Sequence, residues 1–438
     1  MNKVLKVISI LIVLAIFLGN SSFNAVEAYS NSKPTKRFRL ILEIGKNANV
    51  DSLINKFKQE NRNTSVDVID ELDDDMRVIQ VSGDKDLELI LSSFESDENV
   101  ESVQPDFVVN CVDSFSSSPP TDDYFINQWG LHNSEFDGID INILPAWNIT
   151  KGNNEVVVGV LDTGIDINHE DLKNCIFTNK GEIQDNNVDD DCNGYIDDCH
   201  GWDFFNNDNT VFHSFPEDVH GTFLAGIIAA SSGNDIGMCG VSPNVKIMPL
   251  KFISGANGHT SDAIKAIKYA ETMGVDIINC SWGGTEYNKV LEKVMKKSKI
   301  LFVCSSGNEG YNIKVTPVYP TCFNCKNIIS VGAINNVGQF EMYSNYGKEV
   351  DVAAPGTNIL STIPGNGYTF GTGTSFAAPF VTGIAALVKS RDCSIDFKGI
   401  RKLITKNVVI DKTYINKVNT CGRVDAFKIL SDMKMKNK

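Results

Sequence analysis

Positive charge is scarce in this chain. Forty Lys and Arg stand against 55 Asp and Glu in 438 residues, a formal net charge of −15. That deficit argues against a nucleic-acid binder and suits a protein that holds cations. Long apolar runs are also missing after the first thirty residues, so no later segment qualifies as a membrane span. No internal repeat is visible, which sets aside repeat architectures. Apolar residues as such are not lacking. At 42% hydrophobic and 22% charged, the chain can build a large core, and its length allows two or three domains.

The N-terminus reads MNKVLKVISILIVLAIFLGNSSFNAVEAYS. Lys3 and Lys6 give a basic start, Val7 to Leu18 an apolar stretch, and Val26 and Ala28 fit a small-residue cleavage site. The apolar stretch is short for a membrane anchor. Residues 1–28 are therefore expected to be a cleaved signal peptide, and the protein is expected to enter the secretory pathway, for the exterior or for a secretory organelle or vacuole. In that oxidising setting the 11 cysteines suggest some disulfides. Cys111 stands apart. Cys239, Cys280 and Cys304 sit in apolar, strand-like contexts and read as core thiols. Cys175, Cys192 and Cys199, Cys322 with Cys325, and Cys393 with Cys421 are the better disulfide candidates, with pairing left open.

Residues from about 36 to 109 alternate as β-α-β-β-α-β, the ferredoxin-like order, from RFRLILEI to VESVQPDFVVN. CVDSFSSSPPTDD then has linker composition. The second unit begins near QWGLHN. Its continuous apolar strands EVVVGVLD, VKIMPLKF, VDIINCS and KILFVCSS alternate with helical stretches such as TSDAIKAIKYAETM. This is the pattern of a parallel sheet covered on both faces, an α/β fold whose chemistry gathers at the carboxyl ends of the strands.

Four polar residues fall at such ends. Asp162 closes the apolar strand of VVVGVLDTGID. His220 opens the helix of EDVHGTFLAG. Asn308 lies in the Gly-flanked turn of LFVCSSGNEG. Ser375 sits in GTGTSFAAPF, where the glycines permit close approach and a helix starts at or just after the serine. Pro379 is expected in the first turn of that helix. A serine nucleophile needs a base, the base needs a group that fixes its tautomer, and the oxyanion needs donors. Each residue alone reads as a turn former, a helix cap or a satisfied polar group. Together, in the order Asp, His, Asn, Ser, they are a set with one chemistry.

VLDTGID, HGTFLAGIIA, SSGNEG and GTSFAAPFVTG, with NCSWGG between them, resemble the motifs of the subtilisin-like serine proteases, the subtilases, over roughly residues 126 to 430. The resemblance implies a subtilisin-like three-layer α/β fold in residues 126–438, with a mainly parallel sheet between helices. It implies a serine endopeptidase acting on protein or peptide substrates. Asp162 orients His220, His220 is general base and then acid, and Ser375 is the nucleophile. The Asn308 amide and the Ser375 N–H form the oxyanion hole. SWGG and SSGN, with Ser281, Trp282, Gly283, Ser305, Ser306 and Gly307, wall the S1 pocket. Glu309 lies at its rim, Trp282 shapes S4, and a segment near Ser254 to Gly258 offers an edge strand to the substrate. Phe223, Phe376 and Phe380 depart from the usual His, Met and His, none of them at a triad position. A kexin-like convertase is disfavoured, because only residues 376–438 follow the serine. A catalytically silent binding protein that kept the fold is the other class of reading, and the intact set of four speaks against it.

The first unit likewise resembles a subtilase propeptide, an inhibitor and intramolecular chaperone, here residues 29–113 followed by a linker at 114–125. Autocatalytic cutting is expected between about Asn110 and Ser118, first after Asp113 and second after Cys111.

Calcium is the expected cofactor, with more than one ion. DNNVDDDCNGYIDD, from Asp185 to Asp198, opens a calcium-loop pattern at Asp189, Asp191, Asn193 and Gly194. His200 stands where such a loop has its last Glu, so Asp197 or Asp198 must close the shell, with Ile196 as the anchor to the core. The alternative is a solvated acidic loop. From resemblance alone, Gln128, Asp171 and Asn234, with carbonyls of Ser232, Ile236 and Met238, fall on the family's tight calcium site.

Overall fold

A computed structural model describes residues 36–433 apart from 46–47, 63, 110–113, 117–123 and 137. The expected signal peptide and the candidate cleavage bonds after Cys111 and Asp113 lie outside the described residues.

The first unit runs β1 (Lys36–Ile44), α1 (Val50–Glu60), β2 (Ser65–Asp73), β3 (Met76–Gly83), α2 (Leu87–Glu95) and β4 (Val100–Pro105). Its antiparallel sheet has the order β2-β3-β1-β4, with both helices packed on one apolar face through Leu53, Phe57, Ile90 and Phe94. The order follows from the split βαβ connection that the sequence suggests. Two short strands come next, β5 (Val108–Val109) and β6 (Ser114–Ser116). β6 falls inside the stretch that its Ser and Pro content marks as linker. Pairing with a ready-made edge asks only for backbone, so composition does not reveal it.

The second unit contains α3 (Ile143–Trp147), β7 (Val157–Asp162), β8 (Trp202–Asp203), α4 (Val219–Ala229), β9 (Lys246–Lys251), β10 (Ile253–Ser254), β11 (Asn257–His259) and α5 (Thr260–Thr272). It continues with β12 (Ile277–Cys280), α6 (Lys289–Lys297), β13 (Leu301–Ser305), β14 (Ile328–Ile334), β15 (Val352–Pro355), β16 (Ile359–Ile363), β17 (Gly367–Thr372) and α7 (Thr374–Arg391). α8 (Phe397–Lys406), β18 (Val409–Ile410), β19 (Gly422–Arg423) and α9 (Ala426–Ser431) close it. The central sheet has the order β18-β19-β15-β14-β13-β12-β7-β9-β8 and is parallel except for β18 against β19.

Alternate strand residues face opposite layers. Val158, Val160, Ile277, Leu301 and Val303 pack under α4 and α7. Leu161, Ile278 and Phe302 pack under α5 and α6. All eleven residues of α4 are buried, and so is α7 from Thr374 to Val388, which is why neither stretch shows an amphipathic pattern.

The small unit rides on α5 and α6. Ile41, Leu72, Met76 and Val78 join the apolar cluster of Ala263, Ile267, Val290 and Val294. Ion pairs ring this contact: Lys265 with Asp70, Lys268 with Asp73, and Lys293 with Glu43. Asp106 caps the start of α5, accepting from Ser261 N at 2.8 Å and Ser261 Oγ at 2.7 Å, and Arg39 Nε lies 2.6 Å from its carboxylate.

All ten cysteines among the described residues are free, so none of the expected disulfides is formed there. Cys175 is buried and its thiol donates to Leu172 O at 3.0 Å, which makes it a core residue like Cys280 and Cys304. Burial pushes its thiol up to about 12.

Candidate active site

At the carboxyl end of the sheet Asp162 meets His220, Asn308 shares a cavity with Ser375, and the His220 ring lies 5.9 Å from that of Phe376, the residue after Ser375. Asp162 is the last residue of β7 and is fully buried. Its Oδ1 accepts from Thr163 N at 2.8 Å and from His220 Nδ1 at 2.7 Å. His220 is in the first turn of α4. With the Nδ1 proton held by a carboxylate, Nε2 is the basic nitrogen, the tautomer a general base needs.

Ser375 is the second residue of α7, so its N–H is one of the helix's unshared donors. The helix starts one residue before the serine, and Pro379 is its sixth residue, beyond the first turn where the sequence reading put it. A proline there has no N–H for the carbonyl four residues back, which is that of Ser375. Ser281 Oγ takes that carbonyl at 2.7 Å, while Ser375 Oγ donates to Ser281 O at 3.1 Å. The helix irregularity thus ties the serine to the SWGG segment. The glycine-rich approach has a steric cause: a Cβ on Gly371 would lie 2.6 Å from the Phe376 ring.

Asn308 follows β13. Its Oδ1 accepts from Thr374 N at 2.8 Å and Thr374 Oγ1 at 2.9 Å, which fixes the way the amide faces. Asn308 and Ser375 line one cavity with Ser281, Trp282, Gly283, Ser305, Gly307 and Glu309, all named by the sequence reading. Ser306 does not line it. Its Oγ is turned inward to Asn345 O at 3.1 Å, because neighbours on an extended segment face opposite ways.

Sequence reasoning missed Tyr311, Val318 and Asn345. Val318 and Tyr311 belong to the cavity wall and come from a loop with no recognised motif. Asn345 is buried. Its Nδ2 donates to Ser306 O at 3.0 Å and to Glu309 Oε2 at 2.7 Å, and its Oδ1 accepts from Tyr311 N at 2.7 Å, so it shapes the whole loop around Asn308.

A second cavity holds Phe107 of the first unit against Thr260, Trp282, Leu291, Tyr319 and Phe323. Phe107 O accepts from Thr260 N and Oγ1, both at 3.1 Å. From there β5 pairs antiparallel with β11, Val109 opposite Gly258, and β6 pairs antiparallel with β17, Ser114 opposite Thr372. The chain therefore lies on one edge of the cleft before residue 110 and on the other after residue 113.

The acidic segment folds on itself. Glu182, Asp189 and Asp191 bring carboxylate oxygens within 4.8 Å of one another. Glu182 was not foreseen because it precedes the acidic run. Its Oε1 accepts from Asp190 N and Asp191 N, and its Oε2 from Asp197 N. Asp197 and Asp198 do not close the cluster. Asp197 caps the N–H groups of Asn186 and Asn187. Asp198 is buried and accepts from Asn179, Asn193 and the Tyr269 hydroxyl at 2.6 Å. Burial and that carboxylate push the Tyr269 hydroxyl far up, so it remains a donor. Asp185 stands at a left-handed turn, φ 61°. Ile196 is 49% exposed; Tyr195 is the anchor instead, edge-on to Trp202, Phe204 and Tyr269. All the converging donors are hard oxygens, which fit calcium.

At the other expected metal position, fully buried Asp171 accepts from Asn234 Nδ2 at 2.9 Å, Met238 N at 2.8 Å and the Tyr368 hydroxyl at 3.2 Å. Burial pushes its carboxyl up, a cost that a cation would relieve. Gln128 is adjacent, bonded to Cys239 N and O. Ser232 Oγ accepts from Lys151, and Ile236 N donates to Asn234 Oδ1.

A buried Asp–His pair, a serine at a helix start and an oriented amide, at the carboxyl end of a parallel sheet, define a serine hydrolase of the α/β type. The family comparison narrows this: residues 153–424 match the subtilase family, and the chain belongs to that family. It is a subtilisin-like serine endopeptidase. It is 31% identical over 311 residues to the thermophilic serine proteinase of Bacillus sp. (strain AK1), covering 70% of this chain and 67% of that one. To the major intracellular serine protease of Bacillus subtilis (strain 168) it is 38% identical over 247 residues, 55% of this chain and 70% of that one. Fervidolysin of Fervidobacterium pennivorans, a keratinolytic enzyme related to subtilisin, shares the fold with a TM-score of 0.68 at 21% identity, over 91% of this chain. The chain spans 61% of that protein.

Proposed function

We propose that the protein is made as a secreted zymogen that cuts its own chain through an Asp162–His220–Ser375 triad, with Asn308 and the Ser375 N–H as the oxyanion hole. The passage of the chain along both edges of the cleft, β5 on β11 and β6 on β17, is the observation that carries this reading. An extended segment paired on both sides of a nucleophile is bound as a substrate is bound. In the reaction His220 takes the Ser375 proton as Oγ attacks the carbonyl, and then gives it to the leaving amine. Asp162 keeps the imidazole in the tautomer that makes this transfer possible.

The same reading bears on the cut. Phe107 lines the aromatic cavity beside Trp282, the residue that resemblance assigns to S4. Taking Phe107 as the residue at S4 and counting three residues on to S1 favours a cut after Asn110, ahead of the bonds after Cys111 and Asp113. N-terminal sequencing of the mature protein is expected to start at Cys111. A start at or beyond Ser118 would overturn the zymogen register. After the cut, the first unit remains an inhibitor held by its contacts with α5 and α6.

Calcium is proposed at the Glu182, Asp189 and Asp191 cluster, with Asn193 beside it, and at Asp171, Asn234 and Gln128. The ions would serve as structural clamps, since neither position touches Ser375. Ligands that bind only the folded chain raise its melting point. At a hundredfold excess over Kd one site adds about 2.7 kcal/mol, roughly 4 °C for a domain of about 310 residues. Melting curves in calcium and in chelator are expected to differ by at least that much. Coincident midpoints would remove calcium from both positions.

A further inference from the structure

One buried charge at the active site has no part in the chemistry above. Lys251, the last residue of β9, is fully buried. Its ammonium is bonded to Thr163 O and to the Asp218 carboxylate, with Ile253 O at 3.3 Å. Both side chains of the Lys251–Asp218 pair are inaccessible to solvent.

Each partner lies next to a member of the proposed triad. Thr163 follows Asp162, and its Oγ1 accepts from Gly221 N, beside His220, at 3.0 Å. Asp218 is the residue before α4, two ahead of His220, and its carbonyl accepts from Thr222 N and Oγ1. Its second carboxylate oxygen accepts from His213 N at 2.6 Å and Ser214 N at 3.3 Å. Lys251 is itself in register with Asp162, and Phe252 N donates to Asp162 O at 3.0 Å. Asp203 faces Lys251 from β8, with its own carboxylate bonded to His213 and Asn206.

We propose that Lys251 is a positioning residue for catalysis: its ammonium locks the end of β7 to the start of α4, and so sets how Asp162 presents to His220. The inference rests on the triad reading above. A buried ion pair adds little net stability compared with an apolar pair of the same shape, yet it permits few geometries. The three acceptors on Lys251 come from three different segments: the residue after β7, the residue before α4, and β10. Replacing it by an apolar side chain removes the donor that the three share and leaves the end of β7 tied to the start of α4 by fewer bonds, such as Gly221 N to Thr163 Oγ1.

The test compares Lys251→Met, Lys251→Arg and the double variant Lys251→Met/Asp218→Asn with wild type, in calcium, on one peptide substrate. Lys251→Met removes one partner of a buried pair and is expected to melt lower and to lose about 10²-fold in kcat, with KM changed less than about threefold. That split is the mark of an interaction that matters in the transition state. The double variant removes both charges, so its melting point is expected to return towards wild type while kcat stays low. Lys251→Arg, which keeps the cation and its donors, is expected to recover most of the activity. Recovery of kcat together with stability in the double variant would reduce the pair to a stabilising element and overturn the proposal. So would a wild-type kcat in folded Lys251→Met. If Lys251→Met does not fold, the double variant alone decides. Activity retained by Ser375→Ala would instead sink the triad reading, which separates the two failures.

Discussion

Ser375→Ala is expected to hydrolyse no peptide and to persist as the uncut precursor. The lost step is bond formation itself. Ser281 Oγ, in the same cavity, does not take its place, because it is already committed to the Ser375 carbonyl. In subtilisin, loss of this serine costs on the order of 10⁶-fold in kcat, and the same scale applies here. The fold is expected to survive, since the bond from Ser281 Oγ to the Ser375 carbonyl is kept, only the Ser375 Oγ–Ser281 O bond is lost, and an alanine fits the helix. Two measurements check this. A fluorophosphonate probe should label the wild-type protein and not the variant. Purified Ser375→Ala, with no other protease present, should keep its first unit attached. Normal processing of that protein would show that another group makes the cut.

Asn308→Ala carries the second large effect. In the oxyanion role proposed above, the alanine removes a donor to the developing negative charge, so kcat is expected to fall by roughly 10²–10³-fold, the size seen in subtilisin for one oxyanion donor. KM should move little, because the ground-state carbonyl gains less from that donor than the tetrahedral intermediate does. Asn308 also holds Thr374 through its Oδ1, which gives it a second role at the start of α7. Asn308→Asp separates the two roles. It keeps an acceptor for Thr374 and loses the donor, so it should be as slow as alanine while melting closer to wild type. A fast Asn308→Asp enzyme would show that the amide does not stabilise the oxyanion.

These residues were legible in the sequence for a physical reason. A strand buried on both faces is a continuous apolar run, and the polar residue that ends it stands out, as Asp162 does after VVVGVL. His220 and Ser375 stand out in the same way at the heads of helices that are apolar all round. What stayed hidden depends on chain segments meeting from afar. Val318 and Asn345 carry no local signature. Glu182 lies outside the acidic run that it closes. Ile196 and Tyr195 are neighbours of similar apolarity, and only the cluster with Trp202 and Tyr269 decides which one turns inward. Ser306 differs from Ser305 only by the alternation of an extended segment, whose phase a motif does not give. The linker hid β6 because a strand added to an edge needs no side-chain pattern. Among the cysteines, Cys175 misleads in another way: grouped with Cys192 and Cys199 as a disulfide candidate, it is a small apolar filler in the core, as Cys280 and Cys304 were expected to be and are.

The two edge pairings have a consequence for the strength of self-inhibition. Before the cut, the segment at β5 and the segment at β6 are ends of one tether, and each is presented to the cleft at the effective concentration that a short tether sets, in the millimolar range. The proposed cut splits that tether between two sheets, leaving β5 with the first unit and β6 with the enzyme. Occupancy of the cleft then follows mass action, and depends on how far the released unit is diluted. In the secreted zymogen proposed above, confinement would keep the enzyme silent and discharge into a large volume would start it.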